Sequence, residues 1–183
     1  MRSAAAIVLA AVSLLPLATL RPAAADEPSA EGGGASLRAV LAALRLPDLD
    51  GEEVGLSSYL GRGPLLLDFW ATWCKPCLAA MPELQQLYED LGPRGLQIVG
   101  INEDGPRNAS KVKPFMRTHG YEFPVLLDLN REAQRRLQAL ALPTTMLLDA
   151  DGVVVHNSFG YRPGEIDKLR ALIEPMLPEE KDE

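Results

Sequence analysis

Residues 65–77 read LLLDFWATWCKPC. Leu65 to Trp70, apolar except for Asp68, lead through a short link into Cys74 and Cys77. The apolar run lacks polar alternation and predicts a strand buried on both faces. From residue 75 the period changes. Leu78, Met81, Leu84, Leu87, Tyr88 and Leu91 recur at helical spacing, and Gly92-Pro93 ends the pattern. Pro82 lies inside this helix and predicts a kink. The two cysteines therefore stand where a buried strand passes into a helix.

On the N-terminal side, Leu44-Arg45-Leu46 alternates, residues 47–51 are dense in turn formers, and Val54 to Leu56 follows, which predicts a small β-hairpin. On the other side, Leu96 to Ile101 predicts a second strand. Lys111 to His119 predicts a helix with Phe115 inward and Gly120 as its stop. Val125 to Leu127 reads as a short strand and Arg131 to Leu140 as a helix with a basic face. Thr144 to Leu148 and Val153 to His156 flank a turn at residues 149–152. Ile166, Leu169, Leu172, Ile173 and Met176 form the stripe of a last helix. Early strand–helix alternation implies parallel strands with crossovers, and the late hairpin adds an antiparallel pair. The expected class is α/β: a mixed central sheet with helices on both faces, plus an N-terminal β-hairpin.

A thiol at a helix start meets unpaired backbone N–H groups and the positive end of the helix dipole. Both lower its pKa, which makes Cys74 the expected nucleophile. Lys75 adds positive charge in the same sense. Cys77, one turn on, is the expected resolving thiol. Pro76 gives up an N–H that the first helical turn does not use, and it stiffens the turn. As a structural staple the pair would do little, because so short a loop removes little entropy from the unfolded chain. A zinc site needs further ligands, and His119 and His156 lack the spacing, so no metal is expected.

The chain has 183 residues, 47% hydrophobic, with a net charge of −7. Its length suits one domain, and its composition excludes wholesale disorder. The acidic balance argues against nucleic acid and against adhesion to anionic membranes. Residues 1–25 read as a secretory signal: Arg2, an uncharged run from Ala4 to Leu20, and small residues Ala23 to Ala25 before the expected cleavage point. The same run, at the short end of what crosses a bilayer, also fits an uncleaved anchor. Residues 26–36 are expected to form a flexible linker, 37–177 the folded domain and 178–183 an acidic tail. Removing residues 1–25 takes away Arg2 and Arg21 and no acid. A more acidic chain then keeps both cysteines in a compartment that permits disulfides.

Residues 65–77 resemble the active-site segment of the thioredoxin superfamily. Residues 42–177 are most similar to the extracytoplasmic TlpA/ResA-like thiol-disulfide oxidoreductases. The resemblance also rests on residues 46–61 (LPDLDGEEVGLSSYLG), Met81-Pro82-Glu83, Phe123-Pro124-Val125 and Leu142-Pro143-Thr144-Thr145. It implies a thioredoxin fold and a Cys74/Cys77 dithiol–disulfide cycle with no other cofactor. It also implies a cis Pro143 facing that pair, with the Leu142 backbone placed to pair with a substrate strand. The residues alone also fit an ordinary trans proline opening a strand. In thioredoxins an Asp at the position of Asp68 takes the proton of the second cysteine. By itself Asp68 also fits a satisfied polar group in a core. Many TlpA/ResA-like proteins carry Asn here and a Glu three residues after the second Cys, where this chain has Ala80. The two departures assign the acid–base role to Asp68.

The resemblance further implies a monomer that reduces disulfides of client proteins, such as apocytochrome c or copper-site proteins, and is re-reduced by a membrane thiol donor. Direction stays open, since Lys75 favours an oxidant and Asp68 a reductant. Trp73 is expected at the rim of the partner surface and Trp70 in the core. A peroxidase would want a Thr-x-x-Cys setting, but Thr72 stands two residues before Cys74. A copper carrier would want a histidine on the facing loop.

Overall fold

The computed structural model describes residues 31–178, with the backbone alone for residues 31–36. Helix α1 (Glu31–Ala43) leads into a two-stranded hairpin, β1 (Arg45–Pro47) and β2 (Glu53–Gly55), and a 3₁₀ turn at Leu56–Tyr59. Then come β3 (Leu65–Trp70), α2 (Lys75–Leu91), β4 (Gln97–Asn102), α3 (Ala109–His119), β5 (Val125–Leu127) and α4 (Glu132–Arg136). Strands β6 (Thr144–Leu148) and β7 (Val154–Phe159) and helix α5 (Glu165–Ile173) complete it. The central sheet has the order β5-β4-β3-β6-β7. Strand β4 runs parallel to β3 and β5, whereas β6 runs antiparallel to β3 and β7. This is the thioredoxin-like α/β arrangement, with the hairpin attached.

Strand β3 is the centre, and all six of its residues are buried. Leu66 and Trp70 pack with α2, α3 and α5, while Leu65, Leu67 and Phe69 pack with α1, α4 and the hairpin. Burial on both faces explains why the run shows no polar alternation. Where the Trp70 indole crosses β4, a Cβ at Gly100 would lie 2.8 Å from Nε1, so only glycine fits without movement.

Four expectations change. The linker expected at residues 26–36 is helical from Glu31, and residues 26–30 lie outside the described part. Leu37, Val40, Leu41 and Leu44 recur at helical spacing and pack against the sheet, and the helix they anchor extends back through the glycines. The helix expected at Arg131 to Leu140 stops at Arg136, because Gln138 takes a left-handed φ of 57° and turns the chain toward Leu142. The last strand reaches Phe159, beyond the expected His156. Leu172 is 40% exposed and leaves the core stripe. Helix α2 continues through Pro82, and Gly120 caps α3 with φ 70°. Residues 1–30, with the expected signal, and residues 179–183 of the acidic tail lie outside the described part.

Candidate active site

The loop from Trp70 to Cys74 leaves the carboxyl end of β3, the end of a parallel α/β sheet where sites are built. Asp104, just past β4, holds that loop. Thr72 donates to it twice, through N–H at 3.0 Å and Oγ1 at 2.7 Å, and Asn102 Nδ2 donates at 2.7 Å. Cys74 is the N-cap of α2, and its Sγ accepts the Cys77 N–H at 3.3 Å. Pro76 sits in the first helical turn, as expected. Cys74 and Cys77 form a disulfide with S–S 2.01 Å and Cα–Cα 5.3 Å.

The two sulfurs face different surroundings. Cys77 is fully buried, whereas Cys74, 5% exposed, lines a cleft of about 440 Å³. Trp73, Lys75 and Pro76 form one side of it, and Leu140, Ala141 and Leu142 form another. Trp73 and Leu140 are 61% and 77% exposed, large apolar side chains left at the rim. The Leu142–Pro143 bond is cis, and the Pro143 carbonyl accepts the Gly160 N–H at 2.8 Å.

Asp68 lies on the Leu66–Trp70 side of β3, the side that packs against α2 and Cys77. It is 2% exposed, and burial pushes its carboxyl up to about 7, opposed by one hydrogen bond from Thr145. Trp70 is buried with no partner for Nε1. His119 bonds the Phe115 carbonyl and stacks on Tyr121, and His156 lies on β7 at 4.0 Å from Glu165. Neither histidine lines the cleft.

Glu103, Arg131 and Gln134 also line the cleft and were not anticipated from the residues. A signal for Glu103 was present: Asn102-Glu103-Asp104 is a polar run at the carboxyl end of a strand beside β3. Arg131 and Gln134 are brought in only by the fold.

A profile of the AhpC/TSA family matches residues 38–157. The chain is 35% identical over 131 residues to the thiol-disulfide oxidoreductase ResA of Bacillus thuringiensis subsp. konkukian, covering 72% of this chain and 73% of that protein. It belongs to the AhpC/TSA family, as a thiol-disulfide oxidoreductase of the ResA kind. A Chlorobium tepidum structure assigned as the thiol:disulfide interchange protein DsbE superposes with TM-score 0.65 at 31% identity, over 71% of this chain and 89% of that one. StoA from Bacillus subtilis shares the fold, with TM-score 0.59 at 23% identity over 72% of this chain and 96% of that one. The disulfide of this AhpC/TSA chain stands at the helix start where its residues had placed it.

Proposed function

We propose that the chain works outside the cytoplasm as a monomeric reductase of disulfides in client proteins. The observation that carries this is the asymmetry of the pair: Cys74 opens on a cleft with an apolar rim, and Cys77 is sealed against the Asp68 side of the sheet. In the reduced enzyme the Cys74 thiolate attacks a client disulfide. A Cys74–client bond forms, the client S–S bond breaks, and its electron pair leaves on the second client sulfur. Asp68 takes the Cys77 proton, and the Cys77 thiolate attacks Cys74 Sγ. The Cys74–Cys77 bond closes and the client's remaining sulfur leaves as a thiolate. Protonation of the two client thiolates completes their reduction. Trp73 and Leu140 offer apolar contact, and the Leu142 backbone, at the cleft beside the cis Pro143, offers strand pairing. A thiol donor in the membrane would restore the dithiol. The signal-like residues 1–25 support the location, and apocytochrome c or copper-site proteins are the client classes.

Cys77→Ser, expressed with residues 1–30 in place, accumulates mixed disulfides through Cys74, and the trapped proteins name the clients. No adducts on a Cys74 that still alkylates would overturn the reading. A reduction potential at or above that of the glutathione couple would instead make the chain an oxidant.

A further inference from the structure

Glu103 is the acid that the dithiol cycle leaves unused. It is 2% exposed, both carboxyl oxygens are sealed and accept no hydrogen bond, and it lines the same cleft as Cys74. A buried carboxylate with no donor is costly, and a bound proton removes most of that cost. The two oxygens of the neighbouring Asp128 accept backbone N–H bonds, from Glu132 at 2.7 Å and Gln134 at 2.8 Å. Two ionised carboxylates would repel, whereas a protonated Glu103 donates a hydrogen bond to Asp128. Other charged groups act on the same spot. Arg131 and Arg135 offset part of the negative charge, Lys75 lines the same cleft, and Asp104 is engaged by Thr72 and Asn102.

We propose that Glu103 is a specificity-determining residue of the cleft: its carboxyl, coupled to Asp128, sets the charge a client segment meets as its disulfide approaches Cys74. Protonated, it adds no negative charge beside the cleft. Ionised, it repels acidic segments. Burial, and then the Asp128 charge, push Glu103 up to about 8, so the change falls just above neutrality. The proposal rests on the cleft being where clients bind, but its test needs no client.

The test compares Cys74 alkylation by iodoacetate, an anion, and by neutral iodoacetamide in the reduced Cys77→Ser chain. Their rate ratio cancels the thiolate fraction and reads local charge. The ratio falls about threefold between pH 7.5 and 9.5. Glu103→Gln abolishes that fall, while any change near pH 7 from Asp68 remains. Asp128→Asn, which removes the repelling charge, moves the midpoint to lower pH. A ratio flat with pH when Glu103 is present, or the same fall in Glu103→Gln, would overturn the proposal. Should Glu103→Gln not fold, an unmoved midpoint in Asp128→Asn overturns it. Failure to trap a client would leave these outcomes standing.

Discussion

The Thr145 hydroxyl donates to Asp68 Oδ1 at 3.0 Å, across paired residues of β6 and β3. That bond stabilises the ionised carboxylate, and burial disfavours it. The outcome, a carboxyl at about 7, suits a proton acceptor that must take and return a proton near neutrality.

The first prediction concerns resolution. With an aromatic disulfide as substrate, the reduced enzyme releases one chromophoric thiolate when Cys74 attacks and a second when Cys77 displaces the first adduct. Asp68→Asn should slow the second release about 10²-fold at pH 8. The unsubstituted chain should show a rise in that rate through about pH 7, which the variant lacks. Equal second-phase rates in stopped flow would remove Asp68 from the mechanism.

Stability should fall as pH rises from 5 to 8. Asp68 has its folded-state pKa raised from 3.8 to about 7, so between those values the folded chain binds a proton that the unfolded chain has released. The unfolded state therefore binds fewer protons, and stability declines with pH across that window. Between pH 5 and pH 8 the loss from Asp68 is at most about 3 kcal/mol. Glu103, raised to about 8, adds a decline in the same direction. Urea midpoints of the oxidised protein at pH 5 and pH 8 check the sign. Asp68→Asn should flatten the difference, and a midpoint that rises with pH would contradict the account.

Asp104 is the clamp on the loop that carries Trp73 and Cys74. Asp104→Ala leaves the Thr72 N–H, the Thr72 hydroxyl and Asn102 Nδ2 without their acceptor. The expected cost is about 1–3 kcal/mol of stability, since partly buried donors are left unsatisfied. Denaturant titration of the oxidised chain measures it, and a loss inside experimental error would show that water replaces the carboxylate freely.

Much of this was legible in the residues. Strand β3 and helix α2 each buried a long apolar pattern, and such patterns survive any tertiary setting. Helix α1 was obscured by the glycines at 32–34, yet docking of Leu41 and Leu44 supplies what local propensity lacks. The end of α4 was misread for the opposite reason. Its composition favours helix beyond Arg136, but the chain must turn back toward Pro143, and Gln138 absorbs that turn.

By itself the sequence determined the pair, its place at a helix start and the buried acid upstream, because each depends on neighbours within one strand–turn–helix unit. Only the tertiary structure built the cleft on which Cys74 opens, drawing Glu103, Arg131 and Gln134 to it. It also brought Thr145 to Asp68 and set Glu103 against Asp128. Those contacts join residues 77 and 25 positions apart, and burial acts on a titrating group only once the chain has closed around it.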